Sequence, residues 1–241
     1  MLPRVIGHQG AAAYAPENTL EGLREAHRRG ARAVEFDAKL TGDGAVILMH
    51  DNTLDRTTSG HGPVAAATFE QIQRLDAGGW FGPTWRDARV PTLRQTLNLL
   101  VELDMQANVE IKTCPGRDEA TALAVVAEVR ASWPAGWDWP VLSSFSRQCL
   151  AVAQSAAPEL PRGLLVWRQP ADWAEEARAL GCVNLHCAHQ NLTQSWAAEI
   201  RGLGYCLIVY TLNDAARARE LFTWGVQGVI TDQPDLILAA V

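Results

Sequence analysis

The 241-residue chain lacks the marks of several large protein classes. It has no excess of cations: 21 Lys and Arg stand against 27 Asp and Glu, a formal net charge of −6. Non-specific nucleic-acid binding depends on clustered Lys and Arg, so no nucleic-acid partner is expected. No run of like charge occurs, which argues against an acidic or basic tail. No apolar run approaches the roughly 20 residues that cross a bilayer, so no integral membrane segment is expected. The opening Met1-Leu2-Pro3-Arg4 leads straight into apolar Val5-Ile6-Gly7 without a signal-peptide pattern, and a cytoplasmic location is expected. Cys114, Cys149, Cys182, Cys187 and Cys206 make an odd number and match neither a zinc site nor a C-x-x-C pair. They read as reduced core residues. No linker or low-complexity segment divides the chain, and residues 1–241 read as one domain. With 48% hydrophobic residues, the chain has ample material for one core.

What is present is alternation. Short apolar runs suited to strands take turns with amphipathic stretches suited to helices. Val5-Ile6 precedes a helical pattern over 18–29, where Leu20, Leu23 and Ala26 share one face and Gly30 supplies a stop. Strand-like runs follow at 33–37 and 46–49, parted by the turn signal Thr41-Gly42-Asp43-Gly44. Later strands are expected at 108–112, 141–145, 163–167, 182–185, 206–210 and 228–230, with helices between them and a last short helix near 234–240. With 33–37 and 46–49 taken as one position, about eight β/α units result, the pattern of a closed parallel (β/α)8 barrel of the TIM type. Residues 51–91 are too long for an ordinary connection and read as an insertion after the second strand, with a small helix near 68–75. Its Trp80-Phe81 pair is expected to pack onto the barrel rather than into a membrane.

A barrel of this kind carries its chemistry where strands end. Polar residues fall there repeatedly: His8, Glu35 and Asp37, His50 and Asp51, Glu110 and Lys112, Ser143 and Ser144, His186, Tyr210 and Asp232. A spacing of two on a strand puts Glu35 and Asp37 on one face, and Glu110 and Lys112 on one face of a neighbouring strand. Carboxylates so placed repel unless a cation or proton lies between them. Without a cysteine ligand, the set Glu35, Asp37 and Glu110 suits a hard divalent cation, Mg²⁺ or Ca²⁺. His8 and His50 are candidate proton-transfer groups, since imidazole works in both forms near neutral pH. The same inventory would serve the enolate chemistry of a metal-dependent isomerase or lyase. A binding barrel without turnover is a further alternative.

The order of short motifs resembles the glycerophosphodiester phosphodiesterase family. Gly7-His8-Gln9-Gly10 and Pro16-Glu17-Asn18-Thr19 open the match, followed by Glu35-Phe36-Asp37, Leu40-Thr41-x-Asp43-Gly44 and His50-Asp51-x-x-Leu54-Asp55-Arg56-Thr57-Thr58. Gly60-x-Gly62-Pro63-Val64, Val90-Pro91-Thr92-Leu93, Glu110-Ile111-Lys112, Ser144-Phe145, Tyr210-Thr211-x-Asn213-Asp214 and Gly228-Val229-Ile230-Thr231-Asp232-x-Pro234-Asp235 complete it. The resemblance implies a β/α barrel with a small insertion, and metal-dependent hydrolysis of glycerophosphodiesters to glycerol 3-phosphate and an alcohol. It implies Glu35, Asp37 and Glu110 as metal ligands, His8 and His50 as acid and base, and Lys112 as a contact to the charge of the phosphoryl group. Gln9, Glu17 and Tyr210 are the implied substrate-binding positions. Two depart from the family's habit. Gln9 stands where arginine is usual, exchanging a charged fork for a neutral amide; compensation would have to come from Lys39, Lys112 or Arg56. Tyr210 stands where tryptophan is usual and keeps an aromatic wall. A small glycerophosphodiester is the implied partner, and a homodimer is left open.

Overall fold

A computed structural model describes residues 2–241. Strand and helix alternate from end to end. The chain begins with β1 (Val5–His8), α1 (Leu20–Arg28), β2 (Ala33–Leu40) and β3 (Val46–Leu48), then α2 (Phe69–Ile72) and α3 (Leu93–Glu102). It continues through β4 (Gln106–Ile111), α4 (Asp118–Ser132), β5 (Val141–Ser144), α5 (Arg147–Ala156), β6 (Arg162–Val166) and α6 (Trp173–Ala179). It ends with β7 (Asn184–Ala188), α7 (Gln194–Gly202), β8 (Cys206–Tyr210), α8 (Ala215–Thr223), β9 (Gly228–Thr231) and α9 (Pro234–Leu238).

The order β1-β9-β8-β7-β6-β5-β4-β2, with β2 paired back to β1, closes a parallel eight-stranded barrel. Closure leaves the barrel no free edge. β3 is the addition: it pairs antiparallel with the end of β2, Ala38 opposite Leu48 and Leu40 opposite Val46. The second strand therefore runs to Leu40, beyond the expected 37, and the 46–49 run turns back along it instead of continuing it. Thr41 closes the hairpin by bonding Asp43 and the Ala45 amide, and Gly44 takes φ +90° where a side chain would be strained.

Alternation along the strands sorts the layers. Val34, Phe36, Val109, Ile111 and Leu142 pack outward with the helices over one half of the barrel. Leu164, Val166, Leu185, Cys187, Leu207 and Val209 do the same over the other half. Inside, Ile6, Ala33, Ile208 and Ile230 form a small apolar plug. Above that plug the interior is largely polar, with Glu35, Asp37, Asn108, Glu110, Ser143 and His186 pointing inward. β7 starts at Asn184, two residues after the expected start, so His186 lies in mid-strand inside the barrel instead of at the strand's end.

Helix starts are marked chemically. Thr19, Thr68, Thr92, Ser146, Thr193 and Asp214 each accept a hydrogen bond from a first-turn backbone N–H. Each cap satisfies a donor the helix itself leaves orphaned. Thr68 and Thr92 are reinforced by Gln71 and Gln95 in reciprocal capping boxes. The 51–91 excursion has its own small core of Ile47, Met49, Leu54, Val64, Ile72, Ala77 and Val90. Its ends are tied down where Leu48 N–H donates to Pro91 O and Ile47 bridges Thr92. Its expected helix shortens to Phe69–Ile72. Trp80, Phe81 and Trp85 stack edge to face on one another within the excursion, and the Trp80 indole N–H donates to Ala77 O.

Candidate active site

β2 and β4 bring the acidic residues together. Glu35 and Asp37 share the inner face of β2, and Asp37 pairs in register with Glu110. One carboxylate oxygen from each of Glu35, Asp37 and Glu110 falls within a 4.8 Å cluster, and all three residues are buried. Lys112, next along β4, donates from Nζ to Glu110 Oε1 at 2.8 Å and lies 3.5 Å from Asp37 Oδ1. One ammonium cannot balance three carboxylates. Burial and the neighbouring Asp37 push the Glu35 carboxyl up to about 8, and the same two causes raise Glu110. Asp37 is also buried, yet Lys112 and the Asn18 amide outweigh that and hold it low. All-oxygen, converging and short of positive charge, the donor set fits a hard divalent cation.

Each histidine is held by a carboxylate at Nδ1. His8 Nδ1 lies 2.6 Å from Asp232 Oδ1, and His50 Nδ1 lies 2.8 Å from Asp51 Oδ1. An ionised carboxylate can only accept, so Nδ1 of each ring carries a proton and Nε2 is the nitrogen the aspartate leaves free. His8 Nε2 lies 3.9 Å from Glu35 Oε2. Burial would lower the His8 imidazole, but Asp232 and Glu35 overcome it and raise the pKa to about 9. Asp232 is fixed in turn by the Asn213 amide, which donates to its Oδ2 at 2.6 Å. Asp51 is fixed by Arg56, whose Nε donates to Oδ2 at 2.7 Å and whose hydrogen bond holds the carboxyl down to about 2. The same guanidinium grips Glu17 with two bonds of 2.7 Å. Arg56 thus ties the loop after β1 to the loop after β3.

Arg56→Ala is expected to lower kcat roughly 10- to 10²-fold, because Asp51 and with it His50 lose their fixed orientation. Single-turnover kinetics of the variant check this; an unchanged kcat would show that Asp51 holds its place unaided.

The structure brings His8, Gln9, Glu17, Glu35, Asp37, His50, Glu110, Lys112 and Tyr210 to the carboxyl end of the barrel, in varied surroundings, whereas His186 stays in mid-barrel. Gln9 adopts φ +49° and its Nε2 donates to Asp37 Oδ2 at 2.6 Å, so its amide is engaged on the acidic cluster. Its backbone N–H approaches Glu35 Oε2 at 3.3 Å. Glu17 is occupied by Arg56. Tyr210 donates its hydroxyl to Val166 O at 2.9 Å and meets the Phe145 ring edge to face at 6.0 Å. Of the cations able to stand in for an arginine at position 9, Lys39 and Lys112 line the mouth cavity, while Arg56 faces Asp51 and Glu17. That cavity is about 650 Å³, bounded by His50, Asp51, Glu110, Lys112 and Phe145 among others.

Sequence reasoning noticed Asp51 and Asp232 at strand ends but gave neither a task. The signal was adjacency: Asp51 follows His50 directly, and Asp232 follows the strand paired with β1. Asn18 joins the site as well: its amide donates to Asp37 Oδ2 at 2.8 Å, and its carbonyl accepts from the Asp37 N–H. Of the remaining histidines, His186 is fully buried inside the barrel and His61 is exposed.

Known proteins resemble this chain over nearly its whole length. A phosphodiesterase from Oleispira antarctica, solved in complex with the product sn-glycerol-3-phosphate, superposes with a TM-score of 0.96 at 34% identity, covering 99% of this chain and 96% of that one. A glycerophosphodiester phosphodiesterase of Caldanaerobacter subterraneus is 32% identical over 99% of this chain and 97% of its own length. One from Bacillus subtilis is 33% identical over 96% of this chain and 84% of its own. The family model described as glycerophosphoryl diester phosphodiesterase matches residues 8–236. With the match running from the first histidine through the last barrel strand, the chain belongs to the glycerophosphoryl diester phosphodiesterase family.

Proposed function

We propose that this chain hydrolyses glycerophosphodiesters to glycerol 3-phosphate and an alcohol, using a divalent cation held by Glu35, Asp37 and Glu110 and proton transfer by His8 and His50. The observation that carries the reading is the juxtaposition of a three-carboxylate cluster with two Nδ1-anchored histidines at one barrel mouth. The whole chain is read as one barrel domain, with 51–91 as its insertion.

A phosphodiester resists hydrolysis because its negative charge repels nucleophiles. Bound at the carboxylate cluster, Mg²⁺ or Ca²⁺ would supply Lewis-acid neutralisation of that charge. Lys112 adds a second positive group, held by Glu110 and aimed into the mouth cavity. Of the two imidazoles, one takes a proton from the attacking hydroxyl and the other protonates the departing alcohol oxygen. Each is held by its aspartate, so neither must reorganise during transfer. The attacking hydroxyl is read as the glycerol 2-hydroxyl of the substrate, with water finishing the reaction. Gln9 and Asn18 hold Asp37, and Tyr210 with Phe145 provides the aromatic side of the entrance. The Oleispira antarctica relative was solved with glycerol 3-phosphate as its product, which supports the choice of substrate.

The deciding experiment is an assay of glycerol 3-phosphate release from glycerophosphocholine, glycerophosphoethanolamine and glycerophosphoglycerol, run beside sugar-phosphate isomerisation. Release from at least one diester is expected. Isomerisation with no diester cleavage would favour enolate chemistry on the same residues.

A further inference from the structure

Between the apolar plug and the charged mouth, the barrel interior holds a layer that the reaction does not use. Asn108 lies two residues before Glu110 on the inner face of β4. Ser143 of β5 pairs in register with Glu110, and Gly163 of β6 pairs with Ser143. From β7, His186 lays its ring over Gly163, where an added Cβ would meet Nε2 at 2.8 Å and two ring carbons at 3.2 Å. Glycine at 163 is thus what admits the imidazole. Asn108, Ser143 and His186 are 1%, 0% and 0% exposed. Among the described residues, both amide atoms of Asn108, the Ser143 hydroxyl and both ring nitrogens of His186 find no hydrogen-bond partner.

Buried polar atoms without partners are rare because each forfeits the hydrogen bonds it had in water. A group of them, gathered in one layer of one barrel, needs a common explanation. We propose that this layer is a built-in hydration site, in which ordered water bridges Asn108, Ser143 and His186 and forms the floor beneath the carboxylate cluster.

The chemistry of the three side chains selects the ligand. All are neutral, and together they offer both donors and acceptors. A divalent cation would want charged oxygens, and a bound anion would want cations or converging N–H groups. Water matches a mixed, uncharged set. Burial drives the His186 pKa down to about 3, so the ring stays neutral and keeps one donor and one acceptor. It is therefore suited to hold water and not to serve as a third proton-transfer group.

The position gives the layer a task. Three carboxylates set directly on Ile6, Ala33, Ile208 and Ile230 would meet a medium that cannot polarise. Water dipoles between the two layers can orient toward that charge. Asn108, in register with Glu35, and Ser143, in register with Glu110, are the residues through which the floor would hold the cluster in place. They and His186 then act as positioning residues for the acidic cluster.

A crystal structure of the full chain at a resolution that resolves waters tests the proposal directly. Density for water within about 3 Å of a His186 nitrogen and of Ser143 Oγ or the Asn108 amide is expected. Direct side-chain hydrogen bonds among the three, with nothing between them, would overturn it. The supporting task has its own readout, and it rests on Glu35, Asp37 and Glu110 being the cation site. By titration calorimetry, His186→Leu is expected to weaken Mg²⁺ or Ca²⁺ binding roughly 10- to 10²-fold, while His186→Gln keeps near-native affinity. If His186→Leu does not fold, Ser143→Ala supplies the same comparison with a smaller loss. Equal affinity in wild type, Leu and Gln variants would end the supporting role. A wild-type chain that binds no cation would instead count against the metal site, leaving the crystallographic test to decide the hydration site.

Discussion

Replacing His8 or His50 by alanine is expected to lower turnover by roughly 10²- to 10⁴-fold while the barrel stays folded. In free energy that is about 2.7–5.4 kcal/mol of lost transition-state stabilisation, at 1.36 kcal/mol per decade. The range follows from what remains. Neither substitution touches the acidic cluster or Lys112, so positioning and charge neutralisation persist. What is lost is the proton transfer, at one end of the displacement or at the other. The two losses should not multiply, because stalling either end stalls the same reaction; the double variant is expected to be little worse than the poorer single one. The fold should tolerate both changes. Asp232 keeps its bond from Asn213, and Asp51 keeps its bonds from Arg56, so neither aspartate is stranded. Circular dichroism and thermal melting establish folding, and steady-state kinetics on a glycerophosphodiester establish the loss. Near-native turnover in both variants would remove the imidazoles from the mechanism.

The same pair of residues shows why some of the site could be read from sequence and some could not. Strand period two is a strict rule, so Glu35-x-Asp37 and Glu110-x-Lys112 are legible in one dimension as pairs on shared faces. Strand ends are also legible, because apolar runs stop there. The barrel's closure followed from counting such runs. What failed was local extent. The second strand continues through Ala38, Lys39 and Leu40, where outward Ala38 and Leu40 keep the alternation going past the charged residues. A chain that turns back as β3 looks, in one dimension, like a chain that goes on. The β7 start slipped because Cys182 and Val183 are as apolar as the residues that follow, although Val183 is exposed. That slip put His186 at a strand end on paper, whereas it lies in mid-barrel.

Pairing across distant segments is the other thing a linear reading hides. Nothing in the sequence around Arg56 says that it reaches both Asp51 and Glu17, 39 positions away. Position 9 makes the same point. On paper, glutamine in place of arginine is a lost grip on phosphate. In the folded chain its amide holds Asp37 Oδ2, and Asn18 donates to the same oxygen. The residue is part of how the acidic cluster is oriented, a task for which a neutral donor suffices. The cations that line the cavity are Lys39, whose Nζ donates to Asn52, and Lys112.

Removing divalent cations is expected to abolish activity, with a fall of roughly 10²-fold or more in excess chelator and recovery on adding Mg²⁺ or Ca²⁺. The expectation rests on charge. Three carboxylates meet within 4.8 Å, and among the described residues Lys112 is the one ammonium bonded to them. Without a bound cation the acidic cluster offers the phosphodiester anion no positive charge to bind, so chelation should impair substrate binding as well as the chemical step. A rise in KM together with a fall in kcat is therefore the expected signature, where loss of a histidine should fall mainly on kcat. Binding should also show without any substrate. A ligand at 100 times its dissociation constant stabilises the folded chain by about 2.7 kcal/mol, if it binds the folded form alone. For a chain of this size that corresponds to a melting shift of roughly 5–10 °C. Glu110→Gln should lose most of that shift, because it removes one charged ligand while keeping the shape and a polar contact for Lys112. Full activity in excess chelator, with no cation-dependent melting shift in the native chain, would mean that the acidic cluster serves some purpose other than holding a metal.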